Sequence, residues 1–151
     1  MSAIFAAKEN SVEFLLVYYT GHTPEDRMQL ERCLEQVRVR RLLCVIDCCC
    51  ADEVRLILDK KDCSRVVLRS SERVAMASPM AGSRFTRYFL AGLRSARKCP
   101  CDDGVDCPRL KEFRDRSLVS GVVTLDNLFN YTAQHIQPQK PRKVFCSFDF
   151  Q

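Results

Sequence analysis

The sequence predicts an α/β fold, a mostly parallel sheet flanked by helices, packed as a single domain over residues 1–151. Three observations lead there. Short apolar runs at Val12–Tyr19, Leu42–Ile46 and Arg65–Leu68 have strand length, and their near-continuous hydrophobicity suits strands covered on both faces. Between them, apolar residues recur at helical spacing, and strands alternating with helices build a parallel sheet. A chain of 151 residues, 46% of them apolar, is long enough for one core and too short for two comfortable ones.

The elements follow in order. VEFLLVYY ends at Thr20-Gly21 and is expected to be a central strand. Thr23-Pro24-Glu25-Asp26 offers an N-cap, a proline at the first helical position and acids in the first turn, after which Met28, Leu30, Leu34 and Val37 mark a helix to about Arg38. The strand Leu42–Ile46 stops at Asp47-Cys48-Cys49-Cys50, and Ala51-Asp52 opens an amphipathic stretch through Leu58. A Ser-rich bend follows the third strand. From Ser83 to Ala96, Phe85, Tyr88, Phe89 and Leu93 define the apolar side of a helix whose other side carries Arg84, Arg87 and Arg94. Residues Cys99 to Arg109, rich in prolines and acids, suggest a surface loop. Val122 to Leu125 leads into a helix over Asp126–Ile136 with Thr124 as its cap, and Val144–Phe150 alternates as a last strand with one buried face.

Several function classes are disfavoured. The net charge of +5 comes from scattered Arg and Lys without interleaved aromatics, which gives no support to a nucleic-acid partner. No apolar run reaches the roughly 18 residues a membrane span needs, and the first residues lack a basic segment followed by an apolar one, so a cytoplasmic or nuclear location is expected. Ten cysteines could signal disulfides, but Cys33, Cys44 and Cys146 sit inside apolar patterns, where free thiols act as small hydrophobes. Reduced thiols are the expectation.

Two strand ends carry chemistry. Tyr18-Tyr19-Thr20-Gly21-His22 delivers an imidazole just past the first strand, and Ile46-Asp47-Cys48-Cys49 delivers thiols just past the second. Both fall at the carboxyl edge of a parallel sheet, where open α/β folds hold their sites. A histidine beside a cysteine can generate the thiolate and later protonate a leaving amine. Spacing alone leaves the plain alternative open, a loop histidine with cysteines packed under a helix.

FLLVYYTGH resembles the strand and Ser/Thr-Gly-His turn of metacaspases and related caspase-like cysteine proteases, and VIDCCCAD resembles their Asp-x-Cys turn. SRVVLRSSERVAMASPMAGSRFTRYFLAGLRSA is similar to the family's next strand, Ser-Ser bend and Phe-Thr helix, and VVTLDNLFNYTAQHI to the helix entering its small-subunit-like part. The resemblance spans Val12 to about Ile136. It implies a three-layer caspase-like fold, with residues 12–70 as the large-subunit-like part and 71–151 as the remainder, including the Cys-rich loop 99–109. It also implies a cysteine endopeptidase with His22 and Cys49 as the catalytic pair, Gly21 and Cys49 near the oxyanion, and Asp47 in an S1 pocket for Arg or Lys. Protein or peptide substrates follow from it, as does a possible calcium dependence, for which Asp102, Asp103 and Asp106 are candidates only by composition.

The chain departs from the family pattern in places. Thr23 follows His22 where a second glycine is usual, and Ala51-Asp52 replaces Ser-Gly after the nucleophile turn. The family also has further strands ahead of the histidine strand, so Val12–Tyr19 is expected to need a partner at its edge, a second copy among the choices. These points leave a rival function, a catalytically silent caspase-like module or a fragment of a longer protease. Finally, Cys99, Cys101 and Cys107 share one short loop, a spacing compatible with part of a zinc site completed by Cys63 or His135. A reduced, solvated loop without metal is the preferred reading of that stretch.

Overall fold

The computed structural model describes residues 12–20, 29–30, 32–34, 37–49, 51, 63–71, 77–78, 82–94 and 98–146. Four strands make the main sheet: β1 (Val12–Thr20), β2 (Val39–Asp47), β3 (Ser64–Arg69) and, later in the chain, β6 (Arg142–Cys146). A short antiparallel pair, β4 (Ala77–Ser78) and β5 (Gly82–Ser83), precedes helix α1 (Arg84–Leu93). Then come a 3-10 turn (Gly104–Asp106), α2 (Pro108–Ser120) and α3 (Leu125–His135). The strand order is β1-β2-β3-β6, with β1/β2 and β2/β3 parallel and β6 antiparallel to β3. The fold is therefore α/β with a mixed, mostly parallel sheet.

Alternation along β2 sends its side chains into cores on both faces of the sheet. Leu42, Cys44 and Ile46 enter one core with Tyr19, Leu34 and Val67, while Val45 enters the other with Leu68, Phe85, Phe89 and Leu128. Residues 29–30 and 32–34 are helical, and Leu30 and Leu34 pack on the first of these faces. Helices α1, α2 and α3 cover the opposite face. Helical residues thus lie on both sides of the sheet. Burying a side chain such as Phe85 or Ile46, both fully enclosed, contributes about 1.5–3 kcal/mol.

Three expectations change. β1 is an edge of the described sheet, not a strand covered on both faces: Leu15, Val17 and Tyr19 pack inward, but Phe14, Leu16 and Tyr18 are 54%, 57% and 47% exposed. Uniform apolarity does not reveal how many faces are covered, and only the alternating burial does. β2 begins at Val39, so the helix expected to reach Arg38 ends earlier, and the backbone N–H of Val12 donates to the Arg38 carbonyl at 2.9 Å. Residues Cys99 to Arg109 are not a plain surface loop, because Cys99 and Cys107 are each only 1% exposed and the stretch runs into α2.

The helices expected at Ser83–Ala96 and Asp126–Ile136 match within a few residues, whereas α2 and the β4/β5 pair were not expected. Helix α1 buries Phe85, Tyr88 and Phe89, while Leu93 is exposed. Thr124 caps α3, its hydroxyl accepting from the Asn127 N–H at 3.2 Å. The expected start of a helix at Thr23–Asp26, the stretch beyond Ala51 and residues 147–150 of the last strand lie outside the described residues.

Gly92 sets the closeness of α1 and α3. A Cβ there would stand 2.6 Å from Leu128 Cδ1 and 3.0 Å from Tyr131 Cδ1, so only a bare backbone admits this approach.

Candidate functional site

The parallel pairing of β1 and β2 sets Tyr19 opposite Ile46 and Thr20 opposite Asp47. The two strands therefore end at the same edge and in the same register, and in the sequence His22 stands two positions after Thr20 and Cys49 two positions after Asp47. His22 and Gly21 themselves lie outside the described residues. On the other strand, Cys48 is 7% exposed and packs into the core shared with Cys44 and Ile46, whereas Cys49 is partly exposed. Of these two neighbouring thiols, Cys49 is the one open to solvent.

The turn is clamped from the end of β3. Ser70 and Ser71, both buried, donate their hydroxyls to the Cys48 carbonyl at 3.3 and 3.1 Å. The Ser70 N–H donates to the Ile46 carbonyl at 2.9 Å, continuing the ladder past the last paired residues. Gln139, also buried, donates its side-chain amide to the Ser70 carbonyl at 2.7 Å and ties the bend to the chain after α3. This clamp fixes where Cys49 stands.

Asp47 is 3% exposed. Its Oδ2 accepts from the Tyr18 hydroxyl at 3.3 Å and from the Thr86 hydroxyl at the start of α1. Tyr18 and Thr86 are themselves in hydrogen-bond contact at 2.5 Å. Burial, with the Asp47 charge beside it, pushes the Tyr18 phenol above its usual value despite the hydrogen bond to Thr86. The second carboxylate oxygen, Oδ1, is buried with no partner among the described residues. An unsatisfied carboxylate oxygen in such a place favours a cationic donor, because desolvation without a partner is costly.

A second group of reactive side chains lies among the helices that pack on the Val45 face of the sheet. The Sγ atoms of Cys99, Cys101 and Cys107 and a ring nitrogen of His135 all lie within 4.8 Å of one another. His135 Nε2 is 3.4 Å from Cys99 Sγ and 3.2 Å from Cys107 Sγ. Its Nδ1 stands 2.9 Å from the Tyr131 carbonyl one helical turn back. A carbonyl can only accept, so Nδ1 carries the hydrogen and Nε2 turns its lone pair to the thiols. Tyr88 stacks on the imidazole at 4.6 Å between centroids, and the Tyr131 hydroxyl reaches Cys99 Sγ at 3.5 Å.

Burial governs the acidities here. It pushes the Cys99 thiol up to about 12, raises the Tyr131 phenol and lowers His135. Cys101 is also raised by its partial burial, but hydrogen bonding from the Cys99 and Cys107 thiols outweighs this and leaves it below the usual thiol value.

The backbone builds this cluster locally. The Cys99 N–H donates to the Gly104 carbonyl at 2.9 Å and the Gly104 N–H to the Cys101 carbonyl at 3.1 Å. Gly104 adopts φ +56°, in the left-handed region that side chains disfavour. The tight turn returns the chain so that Cys107 faces Cys99.

Of the two fourth-ligand candidates, His135 joins the three thiols and Cys63 does not. Cys63 is buried in the core that holds Cys44 and Cys48, its thiol 3.7 Å from the Ser64 carbonyl. Asp102, Asp103 and Asp106 are exposed, and Asp106 pairs with Lys111 at 3.4 Å. Sequence reasoning gave no role to Ser70, Ser71, Thr86 or Gln139. A serine pair right after an inner strand was the available signal, since buried hydroxyls need partners, but nothing local marked Thr86 or Gln139. No protein-family model, curated protein or solved structure matches the chain, and its chemistry is therefore argued from these residues and their arrangement.

Proposed function

We propose that the chain is a caspase-like cysteine endopeptidase that uses His22 and Cys49 and cleaves after Arg or Lys. The observation that carries this reading is the parallel register of β1 and β2, with Thr20 opposite Asp47, so that the strands leading to Gly21-His22 and to Cys48-Cys49 end at one edge. The accessible Cys49 beside a buried Cys48 supports the choice of nucleophile. The three-layer caspase-like arrangement belongs to the same proposal.

In this reading the His22 imidazole takes the Cys49 thiol proton, and the thiolate attacks the scissile carbonyl carbon. Backbone N–H groups at Gly21 and Cys49 stabilise the oxyanion. As the tetrahedral intermediate collapses, the C–N bond breaks and the imidazolium gives its proton to the departing amine. Water, deprotonated by the neutral imidazole, then attacks the thioester, releasing the carboxylic acid and restoring the thiol. Asp47, with one carboxylate oxygen held by Tyr18 and Thr86 and the other unpartnered among the described residues, supplies a counter-charge for a basic P1 side chain.

One observation favours a second reading, a catalytically silent caspase-like module that takes a partner or a second copy at its sheet edge: Phe14 and Leu16 form an uncovered apolar row on β1. Fluorogenic peptides with Arg, Lys or Asp at P1, assayed with and without calcium, separate the two. The peptidase reading expects cleavage after Arg or Lys that falls at least about a thousandfold in Cys49→Ala. Cleavage after Asp alone sinks the role of Asp47, and silence of the folded chain on every peptide favours the module.

A further inference from the structure

We propose that Cys99, Cys101, Cys107 and His135 bind one zinc ion in a closed, tetrahedral structural site. This inference is independent of the peptidase reading, since no residue is shared.

Geometry is the first argument. A tetrahedron with Zn–S bonds of about 2.3 Å and a Zn–N bond of about 2.1 Å has edges of about 3.5–3.8 Å. The Nε2 to Sγ separations of 3.4 and 3.2 Å lie close to that edge, and all four donor atoms fall within 4.8 Å of one another. Small side-chain shifts bring such a set onto a single ion.

The donor chemistry selects the metal. Three soft thiolates and one imidazole suit a tetrahedral ion such as zinc, while calcium and magnesium require oxygen ligands. The histidine is already oriented as a ligand: its Nδ1 hydrogen is committed to the Tyr131 carbonyl at 2.9 Å, which fixes the tautomer and aims Nε2 inward. Tyr88 stacks on the ring and holds its plane.

Charge and position point to a structural role. Three thiolates around a divalent ion leave one negative charge, and two guanidinium groups lie at this end of α3, Arg84 donating to the His135 carbonyl and Arg109 to the Gln134 carbonyl. With four protein donors the coordination shell leaves no open position for substrate or water. Cys99, Cys107 and His135 are buried, whereas the partly exposed Cys101 gives the ion a way in. The site joins the turn before α2 to the last residue of α3. Without an ion, three thiols and an imidazole would share a core position that apolar side chains could fill.

The test uses the full chain purified from zinc-supplemented cells without chelators, with metal content read by mass spectrometry and the visible spectrum recorded after cobalt replaces the zinc. Expected are stoichiometric zinc and the intense bands of tetrahedral thiolate-bound cobalt. Occupancy should fall to background in Cys107→Ser, survive in His135→Cys, which restores a four-donor set, and be unchanged in Cys63→Ser. Because Cys107→Ser could fail to fold, the unsubstituted chain decides by itself. If it is folded, its thiols titrate as reduced, and it neither carries zinc nor acquires the cobalt bands, the proposal is overturned. Stoichiometric iron in place of zinc, or equal loss of metal in Cys63→Ser, overturns it as well.

Discussion

Cysteines are used in two opposite ways in this molecule, at the end of β2 and around His135. At the end of β2 the exposure of the thiols rises along one stretch of chain, from Cys44, fully enclosed, to Cys48 at 7% and then the partly exposed Cys49. Two serine hydroxyls hold that turn by its main chain, Ser70 and Ser71 gripping the Cys48 carbonyl. Around His135 the backbone only begins the work. The thiols meet an imidazole from a helix far along the chain, and side chains close the cluster. The contrast teaches that a strand end can present one reactive group cheaply, because topology aims it. A four-donor cluster instead requires several elements to arrive together.

If the regions are separate in this sense, a change that disturbs one should leave the other intact. Gly92→Ala tests the helical side with the largest expected effect. Its Cβ would meet Leu128 Cδ1 at 2.6 Å and Tyr131 Cε1 at 3.2 Å, and Tyr131 is the residue whose carbonyl orients His135. Overpacking of this kind costs about 1–3 kcal/mol, against which alanine's better helix propensity returns up to about 1 kcal/mol. Urea melts should show a net loss of about 1 kcal/mol, together with weaker zinc retention if the proposed site is filled. On the proposed peptidase reading, the rate per folded molecule should be unchanged. A variant as stable as the parent would mean that α1 and α3 can separate freely, and would break the claim that Gly92 sets their spacing.

Ser71→Ala probes the other region. It removes one of two hydroxyls on the Cys48 carbonyl and leaves Ser70 in place, so about 1 kcal/mol of stability should be lost. The turn that carries Cys49 loosens with it. A several-fold drop in kcat with little change in KM is expected, while zinc content stays at that of the parent. A loss of stability with an unchanged kcat would reduce Ser71 to packing.

Much of this organisation was legible in the sequence, and the parts that were not share a cause. Apolar runs identified β1, β2 and β3, and Thr124 marked the start of α3, because those signals are local. Helix α2 carried a weak pattern: among the residues whose burial is described, Leu110 and Phe113 are its enclosed apolar ones among many charges, so the stretch offered little periodicity to follow. The edge position of β1 depends on what lies beside it, which no run of apolar residues records. Cys99, Cys101 and Cys107 announced themselves by spacing, with Cys63 and His135 as alternatives for a fourth donor, and only the packing of α3 decides for His135. Asp47 was visible as part of a turn, whereas its hydroxyl partner Thr86 belongs to a helix much later in the chain.

The smallest expected effect concerns the thiol that does neither job. Cys44 lies inside β2 with no exposed surface, and burial pushes its acidity up to about 12, against the attraction of the Arg69 charge. A thiol whose pKa is higher folded than unfolded contributes fully below the unfolded value. That contribution fades as pH rises from there through the folded value, because the unfolded chain loses its proton first. At about pH 9.5 the resulting penalty is ~0.8 kcal/mol, taking about 9 as the unfolded value. Cys44→Ala should therefore be less stable than the parent at neutral pH, from the small cavity it leaves, yet lose less stability on moving to alkaline pH. Denaturant melts of both chains at the two pH values isolate the difference from every other group that titrates in common. An identical alkaline loss would show that the Cys44 proton is not held more tightly in the folded chain than in the unfolded one.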